Sequence, residues 1–266
     1  MNNNIGLKMC ATGRVTVWII EPDGERRLVF QGKPNAVGAD LIGRLHYYSS
    51  RKATSSPVTH VGLKYGTTTV YTGGIANTGP TAYSTTGYQW LSTGSWQNTT
   101  GAGVTMADLS LLNRDIPSTP LTYATLGSQS IAVGILATIE VQWTVILRQN
   151  SSGGTGFPVA FFSRMCQLFI SATETNPLTT ALYTANNAGT TSVAMGDPIF
   201  GGDVSSASVA WRMSTTAPAG AATLASITLY DDYSTPRICD VQSGFSDVWV
   251  VGTSLTDTAT LTWAAI

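Results

Sequence analysis

Thr105-Met106-Ala107-Asp108-Leu109-Ser110-Leu111 alternates apolar and polar residues with a period of two, and Thr223-Leu224-Ala225-Ser226-Ile227-Thr228-Leu229 does the same. That period sends successive side chains to opposite faces of a pleated strand, one face toward a core and one toward solvent. The two heptads decide the fold because the landmarks around them recur in the same order. Before them, Arg44 leads to Pro57-Val58-Thr59, and Arg164 leads over the same interval to Pro177-Leu178-Thr179. A Gly-Thr-Thr turn follows in each case, in Gly66-Thr67-Thr68-Thr69-Val70 and Gly189-Thr190-Thr191-Ser192-Val193. A tryptophan then closes a strand-like stretch, Tyr88-Gln89-Trp90 and Val209-Ala210-Trp211. After the heptads, a glycine precedes a strand carrying tryptophan, Gly134 to Trp143 and Gly252 to Trp263. Arg44 and Arg164, Pro57 and Pro177, and Trp143 and Trp263 share one offset of 120 residues. Coincidence in a chain of low compositional variety is the competing account. Several landmarks at one offset favour a tandem repeat of one β-rich domain.

Outward from the heptads, the elements of each copy can be placed. Val15-Thr16-Val17-Trp18-Ile19-Ile20 and Arg27-Leu28-Val29-Phe30 flank Glu21-Pro22-Asp23-Gly24-Glu25. Proline presets φ and glycine accepts positive φ, so this reads as a hairpin. It has no counterpart in the second copy and reads as an N-terminal addition to the first. Over Val37 to Tyr48, residues Leu41, Leu45 and Tyr48 fall at helical spacing, and over Phe157 to Phe169 so do Phe161, Met165 and Leu168. Strands are expected at 58–64, 87–92, 105–112, 121–126 and 136–148, then at 178–184, 207–213, 223–230, 236–241, 247–251 and 257–265. The expected fold class is mainly β: two tandem, similar β-sandwich or small-barrel domains, each opening with a short helix, plus the N-terminal β-hairpin. The boundaries are 1–34 for the arm and hairpin, 35–149 for the first domain, 150–156 for the Ser/Gly linker and 157–266 for the second domain. So short a linker predicts copies packed side by side.

Composition points toward assembly. Hydrophobic residues make up 43% of the 266 residues, enough for a packed core, while charged residues make up only 11%, against about 25% in an ordinary soluble domain. A surface with so little charge has little to keep copies apart. Net charge is −1, and nothing global points to nucleic acid. Met1 to Lys64 carries nine basic against four acidic residues, and Asp197 to Ile266 carries two basic residues against seven Asp. Such polarity would favour head-to-tail contact or docking on a charged partner, although random scatter of a few charges would look similar. Cys10, Cys166 and Cys239 match no zinc or redox spacing and read as buried thiols of a reducing compartment. Met1-Asn2-Asn3-Asn4 lacks the start of a signal peptide. No apolar run reaches the ~20 residues that span a bilayer, and no membrane partner is expected. Asn98-Thr99-Thr100 and Asn150-Ser151-Ser152 fit the glycosylation pattern and read as accidental in so Ser/Thr-rich a chain.

A catalytic reading finds little support. His46 and His60 are the two histidines; one lies on a helix and one in a strand, and both read as structural. No nucleophile elbow, zincin or P-loop pattern occurs. Gly73-Gly74 and Gly101-Ala102-Gly103 lie between strands and read as loops. Asp231-Asp232, between Tyr230 and Tyr233, could serve calcium or glycoside chemistry, but it matches the turn at Asn113 and Arg114. Exposed tryptophans could stack on sugars. Trp90, Trp143, Trp211 and Trp263 recur at matched strand positions, however, and read as core, with Trp18 and Trp249 also in strands. Trp96, in a Ser/Thr/Gly stretch, is left as the free ring. The candidate partner-binding residues are therefore Arg26, Arg27, Lys33, Arg51, Lys52, Trp96, Asp231 and Asp232. No catalytic residue, metal or cofactor is expected.

Val15-Thr16-Val17, Pro22-Asp23-Gly24-Glu25, Asn35-Ala36-Val37-Gly38 and Leu41-Ile42-Gly43-Arg44-Leu45 together resemble a pattern of bacteriophage structural proteins. In that pattern a hairpin with a D-G turn is followed by an N-x-V-G helix start and a strand ending in a Gly-Thr turn. Pro57-Val58-Thr59-His60-Val61-Gly62-Leu63-Lys64-Tyr65-Gly66-Thr67-Thr68 resembles that strand, with Lys64-Tyr65 departing from the usual Gly-Thr. Ile139-Glu140-Val141-Gln142-Trp143-Thr144-Val145-Ile146 resembles the closing strand. The resemblance covers roughly residues 14–147 and implies a non-enzymatic virion component, assembled in the host cytoplasm. Within that class a capsid cement or decoration protein is expected, binding neighbouring capsid subunits and copies of itself as a homo-oligomer. A tail, neck or baseplate subunit is the alternative. A carbohydrate-binding module for host surface glycans is the alternative of another class.

Overall fold

The computed structural model describes residues 4–51, 53–149, 159–173, 178–186, 189–202, 206–216, 222–231, 238–241, 248–249 and 254–266. The hairpin read from Pro22-Asp23-Gly24 is formed by β1 (Asn4–Ile20) and β2 (Arg26–Val37). Gly24 takes φ of 89°, and its N–H donates to the Glu21 carbonyl at 2.9 Å. Both expected helices are present, α1 (Ala39–Ser50) and α2 (Val159–Ile170). Between them lie β3 (His60–Tyr65), β4 (Thr68–Tyr71), β5 (Ile75–Ser84), β6 (Gly87–Gln97), β7 (Val104–Met106), β8 (Asp108–Asn113), β9 (Leu121–Leu126), β10 (Ile131–Val133) and β11 (Thr138–Gln149). After α2 come β12 (Leu178–Asn186), β13 (Gly189–Ala194), β14 (Ile199–Gly202), β15 (Ser206–Thr216), β16 (Ala222–Asp231), β17 (Ile238–Val241), β18 (Val248–Trp249) and β19 (Ser254–Ala265). The chain is mainly β.

The ladders recur in a fixed order. β3 pairs with β4 and β8, and β8 with β9; β12 pairs with β13 and β16, and β16 with β17. β5 pairs with β6 and β6 with β11; β14 pairs with β15 and β15 with β19. β10 lies on β7, just ahead of β8, as β18 lies on the first residues of β16. All of these pairs are antiparallel.

β1 joins the two sets. From Met9 to Ile20 it pairs antiparallel with β11, running from Gln149 back to Thr138. On its other edge, Asn4 to Ala11 pair parallel with Thr258 to Ala265 of β19, and from Gly13 onward β2 takes over that edge. The first and last described strands of the chain are therefore neighbours.

The helices cross over. α1 lies against β9 but also against β15 and β19, while α2 lies against β5, β6 and β11 as well as β17. On the α1 side, the Trp263 indole N–H donates to Ser49 Oγ at 3.3 Å, and His46 Nε2 lies 2.6 Å from the Ser208 carbonyl oxygen. On the α2 side, the Phe169 ring stacks on Trp90 at 5.1 Å, and Val58 N–H donates to the Phe169 carbonyl at 2.9 Å. The buried side chains form one cluster that runs from Met9 through Phe169 to Trp263. The two sets of ladders thus share a single hydrophobic core.

The registers also revise the tryptophan matching. Trp143 stands opposite Ser92, and Trp263, 120 residues later, stands opposite Ala207. On the same count Ile139 matches Ala259; Ile139 faces Trp96 and Ala259 faces Trp211. Trp211 therefore corresponds to Trp96 and not to Trp90, which faces Val145. The stretch from Trp96 to Ile139 is shorter than that from Trp211 to Ala259, so counting along the chain slips where counting across the ladder does not. Gly189, expected in a turn, instead lies in β13 opposite Ala185. The residues of the expected linker, 150–156, lie outside those described.

Candidate interaction surface

The end of the sheet that carries the β1–β2 turn also carries the loops before β7 and before β11. Asn98 organises them. It is fully buried, and its side-chain amide donates to the carbonyls of Ala102 at 2.8 Å, Val133 at 3.1 Å and Gly134 at 3.0 Å. Its Oδ1 accepts from the N–H and hydroxyl of Thr100 at 3.1 and 2.7 Å. Its own carbonyl receives Leu136 N–H at 2.8 Å, and Gln97 Nε2 donates to the Leu136 carbonyl at 3.1 Å. The apparent glycosylation site is thus a structural clasp whose nitrogen is already engaged. Every polar group of a buried asparagine must find a partner, and here the partners are the loop itself.

This clasp holds Ile135 and Leu136 out of the core, each 51% exposed, with Leu136 at φ of 62°. A left-handed non-glycine residue costs on the order of 1 kcal/mol and persists only where its surroundings impose it. The sequence reading began a strand at 136 and missed the tip. A signal for it was present, since two large aliphatics follow Gly134 where a turn was expected to be polar.

The residues singled out from sequence do not form one patch. Arg26 pairs with Glu140 and lies 4.3 Å over the Trp18 ring. Arg27 is 3.8 Å from Glu21, and Lys33 Nζ donates to Gln129 Oε1 at 2.7 Å. These three line the β1–β2 hairpin as engaged, solvent-exposed groups, and such surface pairs break at a cost of about 0–1 kcal/mol. Arg51 lies elsewhere, after α1, 4.6 Å over the Phe200 ring of β14. Trp96 is not a free loop ring: it is on β6, half-buried against the core and 6.3 Å from Tyr65. Its polar neighbours in sequence hid a strand in which every second residue points inward. Trp18 is half-buried beneath Arg26 on the outer face instead of in the core. Asp231 closes β16 opposite Leu178. Lys52 and Asp232 lie outside the described residues.

Burial is the leading influence on the histidines and the two described cysteine thiols. Burial, with Arg51 adding, holds the His46 imidazole below its ordinary range against the opposing Ser208 carbonyl. Burial and then Arg114 do the same to His60, opposed by Asp115. Burial raises the Cys166 thiol well above its usual range, and raises Cys10 against the pull of Arg148. Among the described residues, no group of three or more His, Cys, Asp or Glu side chains is placed to hold a metal ion. Among them, too, no helix is long and apolar enough to cross a membrane. Comparison with protein-family models, characterised proteins and solved structures finds no match.

Proposed function

We propose that this chain is a non-enzymatic structural subunit of a bacteriophage virion that works by protein contacts repeated over many copies. The observation that carries the reading is the Ile135-Leu136 tip. Two aliphatic side chains are held half-exposed by a fully satisfied buried clasp, one in a backbone conformation that costs free energy. Apolar surface fixed in water at such a cost favours contact with another protein. Each covered Å² contributes about 25 cal/mol, and many copies multiply a modest contact. The 11% charge content agrees with a surface covered in an assembly.

The resemblance over residues 14–147 supplies the virion class. Within it we favour a capsid cement or decoration protein that touches neighbouring capsid subunits, with a tail, neck or baseplate subunit next. The recurring ladders support reading 35–149 and 157–266 as two copies of one β-unit, with 1–34 added and 150–156 linking. The exchanged helices bind the copies together.

Particle incorporation tests the reading. Ile135→Ser with Leu136→Ser should leave the fold intact and cut occupancy in purified particles. Arg26→Glu, Arg27→Glu and Lys33→Glu together should weaken it less, because those groups are already paired. Unchanged occupancy of the Ser variant refutes the tip as the contact. Cryo-microscopy of the particle gives location and copy number.

A further inference from the structure

The outer face of the sheet carries a hollow that the assembly reading does not use. Arg14 and Thr16 of β1, Thr144 and Ile146 of β11 and Gln89 of β6 lie on this face, with Thr144 directly opposite Arg14 and Gln89 directly opposite Ile146. The order β2-β1-β11-β6-β5 sets its width at four strand spacings, about 19 Å. The volume of the hollow is about 480 Å³.

Both flanks of the hollow are β-bulges. On β2, Phe30 faces Val17 and Lys33 faces Val15, so Gln31 and Gly32 together oppose Thr16. Gly32 takes φ of 59°, and its N–H is held by Thr16 Oγ1 at 3.0 Å. On β5, Ala82 faces Tyr88 and Ser84 faces Gly87, which leaves Tyr83 as the extra residue. An extra residue bends its strand and re-aims a side chain, and bulges concentrate beside binding sites. Here Gln31 and Tyr83, from strands four positions apart in the sheet, line the same hollow.

The lining has a definite chemistry. Two carboxamides and the threonine hydroxyls can both donate and accept, as hydroxyl-rich ligands require. Tyr83, 42% exposed, offers an aromatic face to C–H groups, while Ile146 lines the hollow but is itself buried. Among the described residues of the lining, Arg14 is the single charged side chain. A guanidinium so placed favours a bidentate anion, above all a carboxylate. One cation is too few to track a nucleic-acid backbone. The hollow presents side chains on a sheet face, not the backbone edge that a strand-forming peptide pairs with. Glycoside cleavage needs a pair of carboxyl groups, and among the described residues none lines the hollow, so these side chains point to binding.

We propose that this groove binds a carboxylate-bearing saccharide, with Arg14 on the carboxylate, Gln31, Gln89 and Thr144 on hydroxyls, and Tyr83 against the sugar face. The inference goes beyond the assembly role and does not rest on it. The test titrates the full chain with sialyllactose and with oligogalacturonate, using lactose and maltotriose as neutral counterparts, while side-chain amide NMR signals are followed. At least one acidic probe should bind at about 1 mM or tighter, with its neutral counterparts at least tenfold weaker. The Gln31 and Gln89 amide signals should shift. Arg14→Met and Tyr83→Ala should each weaken binding about tenfold; both positions are at the surface, and an unchanged melting temperature confirms the fold. No binding of either acid, equal binding of neutral sugars, shifts confined to other residues, or full affinity in Arg14→Met each overturns the proposal.

Discussion

Truncating Phe169 to alanine tests whether the two sets of ladders share a core. Phe169 belongs to α2, yet its ring is fully buried among residues of the earlier segment. It stacks on Trp90 at 5.1 Å and 5°, meets Tyr123 edge-on at 5.2 Å, and lies 5.8 Å from Tyr48. Removing a buried phenylalanine costs about 3–5 kcal/mol through lost transfer free energy and the cavity left behind. The stacked and edge-on partners place this site toward the top, because oriented aromatic pairs contribute about 0.5–1.5 kcal/mol beyond area. We expect a loss of about 4–5 kcal/mol. In a chain of this size that lowers Tm by roughly 10–15 °C. Near-ultraviolet circular dichroism reports the aromatic cage, and far-ultraviolet dichroism reports all strands. Both should move together in one transition. A loss below about 1 kcal/mol refutes the reasoning. So does a split melt in which the cage signal keeps its original midpoint.

Three further outcomes are expected. Asn98→Ala strips partners from several loop carbonyls and should cost about 2–4 kcal/mol, at about 1 kcal/mol per hydrogen bond; urea unfolding measures it, and amide exchange should quicken at 134–137 but not in β8. Gly38→Ala places a Cβ 2.2 Å from the Thr122 carbonyl oxygen at the start of α1; overpacking against backbone should cost about 3 kcal/mol, and a wild-type urea midpoint would contradict the close approach. His46 and His60 are both held below their ordinary value of 6.5. In that window the unfolded chain binds more protons than the folded one. The stability they carry is therefore complete above about pH 6.5 and is lost as pH falls toward the lowered folded values. Unfolding midpoints at pH 7.5 and 5 should differ less in His46→Gln, and an unchanged difference counts against the His46 contribution.

Parts of this architecture were legible because their causes are local. Pro22-Asp23-Gly24 needs only its own dihedral preferences to turn, and Gly24 adopts the positive φ expected of it. The helical spacing of Leu41, Leu45 and Tyr48 placed α1 within two residues of its observed bounds. β5 was missed because no local period marks it after the Gly73-Gly74 loop, whereas β6 supplies its ladder. The contact residues fared unevenly for the same reason. Arg26, Arg27 and Lys33 are visible as charge, but whether each is free or engaged depends on Glu140, Glu21 and Gln129, which come from other elements or across the turn.

The amino-acid sequence alone determined a β-rich chain with two helices, a hairpin and a repeated order of landmarks, since period, turn chemistry and spacing act within a few residues. Tertiary structure decided the rest. It set β1 between β11 and β19, carried each helix onto the other set of strands, and matched Trp211 with Trp96 through ladder register. It also brought Tyr83 and Gln31 to one groove, because a bulge exists only relative to the strand beside it. Pairing across a sheet is a property of two strands at once, and no single stretch of sequence contains it.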